Sequence, residues 1–266
     1  MPAPTALVVQ NFPGGGPGRL QDWLGEAGLG CEVVEAHTGV ALPRSLEGRY
    51  AALVVLGGPF MPDDDLRAPW LPATRALARE ALETGLPYLG ICLGGQLLAQ
   101  VAGGEVRAEH GTPEAGSTPL TLLPGAVADD PLLHGLPERV TAIEHHVDAV
   151  TALPPAAVWL ARSETCPHQA FRVGRSAWGV QFHPEIAAER LAHWNPERLA
   201  RNGFDHAELL ARAERDEAAA AEVWRTVAHR FGALVTSREE VRYAGAPVLG
   251  GKAAGRGSGD GPGVRR

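Results

Sequence analysis

Cysteine is scarce: Cys31, Cys92 and Cys166 are the only three in 266 residues. They are odd in number, widely spaced and without a C-x-x-C pair, which excludes a disulfide framework and a thiolate zinc site and points to a reducing compartment. No apolar stretch reaches the length of a membrane span, and the short apolar run near the N-terminus lacks basic residues ahead of it. A soluble cytoplasmic protein without a membrane partner is expected. Positive charge is in deficit, with 24 Lys and Arg against 31 Asp and Glu, so a dominant nucleic-acid footprint is excluded. No internal repeat is visible. A phosphate loop is also missing: GAPVLGGKA at 245–253 has its first glycine one position off and Ala253 for the hydroxyl, and NFPGGGPGR at 11–19 has no lysine.

What is present is ordinary for a globular chain. Hydrophobic residues make up 45% and charged residues 21%, and the length suffices to bury a full core. The 33 glycines and 22 prolines favour many short elements joined by tight loops. Through the first hundred residues, short β-branched runs alternate with amphipathic segments, the pattern of βαβ units around a parallel sheet. Strands are predicted at 6–9, 31–35, 51–56 and 88–91. Leu77, Ala78, Ala81 and Leu82 recur at helical spacing between the last two, and Gly85 followed by Pro87 stops that helix. Further strands are predicted at 120–123, 140–143, 158–161, 169–173 and 178–182. Beyond Glu185 the pattern turns helical, and Trp224, Val227, Phe231 and Leu234 share one face, as in a docked helix. The glycine-rich end has too few large apolar side chains to offset its ordering entropy and is expected to be a disordered tail.

Three segments carry candidate chemistry. In GICLGGQ at 90–96, a hydrophobic strand runs into Cys92 and then a helix. A thiol on such a turn sits at the sheet's carboxyl edge, where the helix N-terminus favours thiolate and offers free N–H groups to an oxyanion. In GVQFHPE at 179–185, continued extended backbone would point His183 and Glu185 to one face, allowing the carboxylate to orient the imidazole. In VVLGGP at 54–59, a strand ends in Gly57 and Gly58, whose N–H groups have no side chain in the way. Each segment alone has a plain structural reading. Together they lie where open α/β sheets place their sites.

In these motifs and their order, residues 5–186 resemble the class I (triad-type) glutamine amidotransferases, particularly glutaminase domains like that of GMP synthetase. The resemblance implies an α/β fold, an open and mostly parallel sheet flanked by helices around a flavodoxin-like core, with added strands and C-terminal helices. It divides the chain into an amidotransferase domain at 1–186, a helical extension packed on it at 187–240, and the tail at 241–266. It also implies that Cys92 attacks the side-chain amide of L-glutamine, that His183 is base and then acid, and that Glu185 holds its tautomer. The backbone N–H groups of Gly58 and Leu93 would form the oxyanion hole. Gln96, with His145, Val147 and Asp148 of EHHVDAV, would line the substrate. Val147 departs from the family's glycine there, and its Cβ narrows the pocket. No cofactor or metal is implied, since the adjacent His145 and His146 diverge on a strand.

CPHQAFRVG at 166–174 also resembles a family segment, in which Ala170 and Phe171 pack, Gln169 and Arg172 satisfy loops, and Cys166 is a bystander. Asp63, Asp64 and Asp65 read as a solvated loop or as a surface for a cationic partner. The roughly 80 residues after the triad are too few for an ATP-using synthetase, so a separate synthetase partner is expected. Two other functions fit the same residues: a hydrolase or transferase of γ-glutamyl peptides and amides, and a catalytically silent regulatory subunit.

Overall fold

The computed structural model describes residues 3–244. Alternating apolar residues build the centre of the sheet. On β1 (Thr5–Gln10) and β3 (Ala52–Val55), the side chains of Ala6, Val8, Ala52 and Val54 join one core cluster. Their neighbours Leu7, Val9, Leu53 and Val55 join the other, as period-two geometry requires of strands buried on both faces. α1 (Gly18–Glu26) covers the first face, following β1 and preceding β2 (Gly30–Glu35). α2 (Leu71–Thr84) covers the second and ends on Gly85 in the left-handed conformation, φ 66°, where the helix stop is expected.

β4 (Tyr88–Ile91) leads into α3 (Leu93–Val101). A small second sheet pairs β5 (Glu105–Arg107) with β8 (Ala149–Ala152), an element the sequence pattern does not reveal. The remaining strands are β6 (Glu114–Leu122), β7 (Arg139–His146), β9 (Ala157–Arg162), β10 (Ala170–Val173) and β11 (Ala177–Val180), with a short α4 (Pro124–Val127) after β6. The main sheet runs β2-β1-β3-β4-β11-β10-β9-β6-β7, parallel from β2 to β11 and antiparallel beyond.

Beyond the sheet come α5 (Pro196–Arg201) and α6 (His206–Ala244). Trp224, Ala228, Phe231 and Val235 of α6 are buried in the same cluster as Val8 and Leu24. Val227 and Leu234 pack on its edge, so the predicted apolar face is the docked one. Of the tail expected at 241–266, the first four residues continue α6, and the rest, with the phosphate-loop near miss at 245–253, lies outside the described residues. Among the described residues, no helix is long and apolar enough to cross a membrane.

Candidate active site

Glycine spacing sets the position of Cys92. Ideal Cβ atoms placed on Gly90, Gly94 and Gly95 would fall 2.3 Å from Gly94 O, 2.0 Å from Val55 O and 2.6 Å from Val180 O. Only glycine admits such backbone approach, and it draws the first turn of α3 into the sheet between β3 and β11. Cys92, between β4 and α3, is thereby held at φ 51° and ψ −108°, a conformation that L side chains rarely adopt. Its own N–H donates to Val180 O at 2.8 Å, and its carbonyl accepts from Gln96 N at 2.9 Å. The N–H groups ahead of Gln96 begin the helix without intrahelical partners.

Ile91 is in register with Val180, so β4 and β11 deliver Cys92 and the GVQFHPE segment to the same edge. One expectation fails here. The extended run stops at Val180, and His183 and Glu185 do not share a strand face. His183 makes an isolated bridge to Ile143, with its N–H donating to Ile143 O at 2.8 Å, and the chain then turns. The two residues meet across that turn, His183 Nδ1 lying 2.7 Å from Glu185 Oε1. Both are buried. Burial opposes the charged imidazole, but the Glu185 carboxylate and the neighbouring Cys92 sulfur outweigh it and hold the His183 pKa well above its ordinary value.

Gly57 sits between Cys92 and this histidine. A Cβ there would lie 2.9 Å from His183 Cε1 and 3.4 Å from Cys92 Cβ. Gly58 lies against Leu93, its ideal Cβ 3.0 Å from Leu93 Cδ2. Asn11 fixes this loop: its Nδ2 donates to Leu56 O at 2.7 Å, while its Oδ1 accepts from Trp70 Nε1 at 2.9 Å. Gln96 Nε2 donates to Asp148 O at 3.2 Å and to Gln181 Oε1 at 3.1 Å, and Gln181 Nε2 points at Cys92 Sγ, 3.6 Å away. Gln181 and Asn11 went unassigned in the sequence, although Gln181 stands inside a quoted motif.

Two cavities meet beside Cys92, His183 and Glu185. A small one of about 80 Å³ is lined by Gly58, Cys92, Gln96, His145, Val147 and Asp148, the residues expected to contact substrate. Its remaining wall includes Arg198, Leu199, Asn202 and Phe204, which come from the C-terminal segment and carry no motif. A larger cleft of about 690 Å³ is lined by Gly57, His183 and Glu185 together with the glycine-rich loop before α1. His145 borders both cavities and stacks on Trp194, with ring centroids 4.3 Å apart.

Beneath the small pocket lies a buried polar network. Glu114 accepts from Ser163 and Thr165 on Oε1 and from Gln169 on Oε2, each at 2.6 Å, while His146 Nε2 lies 3.0 Å from Oε2. Glu114, His146 and Cys166 place ligand atoms within 4.8 Å of one another. They do not fit a metal: the lone pairs of Glu114 are taken, and both ring nitrogens of His146 face oxygens, the second being Asp148 O at 3.0 Å. Burial pushes the Cys166 thiol up to about 12, far from a ligating thiolate. Glu144 is the exception in this network. It is fully buried, neither oxygen makes a hydrogen bond although Oε2 lies 3.4 Å from His146 Nε2, and burial together with Glu114 raises its pKa well above the usual carboxylate range.

The other expectations concern packing. Ala170 and Phe171 are buried, and Arg172 pairs with the buried Asp130. Asp64 and Asp65 pair with Arg67 and Arg75 on the same loop-helix unit.

Comparison with known proteins identifies the family. Residues 19–197 match the family described as glutamine amidotransferase class-I. The GMP synthase [glutamine-hydrolyzing] of Aeropyrum pernix is 36% identical over 184 residues, 69% of this chain and 33% of that protein. A GMP synthase [glutamine-hydrolyzing] subunit of Pyrococcus furiosus is 42% identical over 106 residues, 40% of this chain and 54% of the relative. The chain thus spans about a third of the length of the full-length synthase it matches. Among solved structures, a glutamine amidotransferase from Thermotoga maritima superposes with a TM-score of 0.77 at 27% identity, covering 86% of this chain and 98% of its own. One from Methylobacillus flagellatus gives 0.76 at 28%, covering 87% and 94%.

Proposed function

The chain belongs to the class I glutamine amidotransferases, and from that premise we propose that it hydrolyses L-glutamine to glutamate and ammonia through Cys92, His183 and Glu185. The observation that carries this reading is the buried His183–Glu185 pair at 2.7 Å, beside a cysteine held at φ 51° on a strand-to-helix turn. Nucleophile, base and orienting carboxylate are the parts acyl transfer needs.

In this mechanism His183 accepts the thiol proton as Cys92 Sγ bonds to the γ-carbonyl carbon. The carbonyl oxygen becomes an oxyanion between the N–H groups of Gly58 and Leu93, where each donor contributes about 3–4 kcal/mol to lowering the barrier. Collapse breaks the C–N bond, and His183 returns its proton to the leaving ammonia. A water then attacks the thioester while His183 takes its proton, and a second collapse releases glutamate and the thiol. Glu185 keeps Nδ1 protonated throughout, so Nε2 is the nitrogen that exchanges the proton. Gln96, His145, Val147 and Asp148 would hold the rest of the substrate in the small pocket.

The ammonia is passed to a separate synthetase that activates an acceptor, a division supported by the name of the Pyrococcus furiosus relative, which describes one subunit of a synthase. The test is release of glutamate and ammonia from L-glutamine by the purified protein. Turnover that vanishes in Cys92→Ala and Cys92→Ser is expected. Equal turnover in these variants would overturn the assignment.

A further inference from the structure

We propose that Arg198 binds the α-carboxylate of the substrate, so that the small pocket selects α-amino-acid γ-carboxamides whose α-carboxylate is free. The proposal rests on the reading that Cys92 attacks a γ-carboxamide in that pocket.

The charge inventory of the pocket leads to it. Arg198 is the sole Arg or Lys among the described residues lining the cavity that holds Cys92 and Gln96. Among the described residues its guanidinium has no carboxylate partner, unlike Arg19, Arg67, Arg75 and Arg172. On the other side, Glu114 is saturated by its donors, whereas Asp148 uses Oδ1 for Glu109 N at 2.9 Å and has Oδ2 to offer. One uncommitted cation and one available carboxylate oxygen suit a zwitterion whose side chain reaches the thiol. A planar guanidinium also matches a carboxylate in bidentate geometry.

Local structure aims Arg198 there. Asn195 caps α5, its Oδ1 accepting from Arg198 N at 2.9 Å, and this fixes the helix start. Leu199 is buried with Ala115 and Leu209, pinning α5 to β6. Residues 198 and 202 are then four apart on one face, and both line the pocket. The matched family segment ends at residue 197, next to Arg198. The triad would supply the chemistry, and α5 would read the far end of the substrate.

The test compares L-glutamine with its α-methyl ester, which keeps the γ-carboxamide and removes the negative charge. Two readouts are used: steady-state turnover, and protection of Cys92 from iodoacetamide, which reports binding without turnover. Wild type should prefer glutamine by about 10- to 100-fold in kcat/KM. Arg198→Ala should remove that preference by raising KM and the protecting concentration of glutamine by a similar factor. It should leave kcat and the ester within about threefold, and Arg198→Lys should recover part of the loss. An unchanged glutamine KM and protection, or equal losses on both substrates, would overturn the proposal while leaving the glutaminase reading intact. Wild-type protein that neither turns over glutamine nor is protected by it would overturn that reading and this proposal together.

Discussion

Replacing Glu185 by Gln probes the site at its most demanding point, because both partners are buried and 2.7 Å apart. Opposite charges about 4 Å apart at an effective dielectric of about 20 attract by about 4 kcal/mol. A carboxamide oxygen in the same place recovers about 1 kcal/mol as an ordinary hydrogen bond. The remaining 3 kcal/mol or so corresponds to roughly a 100-fold loss in rate, since each 1.36 kcal/mol is about tenfold. That is the milder outcome, and it leaves the new NH₂ where Glu185 Oε2 already lacks a partner. If the amide turns over, its NH₂ faces Nδ1 and forces the proton onto Nε2, so the base cannot accept from Cys92 and the loss approaches about 10,000-fold.

The assay is kcat/KM for L-glutamine together with thermal unfolding across pH. His183 has a raised pKa in the fold, so its contribution to stability is complete below the unfolded value near 6.5 and fades as pH rises through the folded value. The stability gap between wild type and Glu185→Gln should therefore be widest in mild acid and close toward alkaline pH. A folded variant that loses less than about tenfold in activity, or a gap that widens with pH, would refute the reasoning.

Gly94→Ala places a methyl 2.0 Å from Val55 O, so it should destabilise the protein by at least about 1–3 kcal/mol in denaturant titration and displace the Cys92 turn. Glu144→Gln should do the reverse. The buried carboxyl resists ionisation, so wild type loses stability as pH rises above about 4.5, and the melting temperature of the variant should gain on wild type along that climb. Arg19→Ala breaks the link from Arg19 Nε to Pro184 O at 3.0 Å and the pair with Glu217, so activity should fall more steeply than the 1 kcal/mol or so of stability expected from a partly exposed pair. Activity and urea unfolding of the same preparation would show it.

The residues proposed to do chemistry are legible where residue type and spacing coincide. Cys92, His183 and Glu185 each stand in a short motif at a strand end, and the glycines flanking Cys92 announce a tight turn. The route by which His183 reaches Glu185 was not legible. Alternation along a strand assumes that the strand continues, and here it ends at Val180 because His183 leaves β11 to bridge Ile143. β6 and β7 run longer than their apolar cores suggest, since Glu114, Ser117, Glu144 and His146 are buried polar residues that read as exposed in a binary pattern. The wall of Arg198, Leu199 and Asn202 was invisible for a different reason. It reaches the pocket only through the packing of α5 on β6, and nothing local in the sequence encodes that contact.

The seam between α1, the His183 turn and α6 bears on the order in which the site is assembled. Arg19 reaches both Pro184 and Glu217, and Glu217 also accepts from Ala188 N, so three distant stretches of chain lock around the histidine. During synthesis Cys92 leaves the ribosome first, and roughly 125 residues separate it from Glu217. At about 5–20 residues per second that is a delay of some 6–25 seconds. A nascent chain in that interval carries the Cys92 thiol without the finished His183 turn or the pocket wall around it.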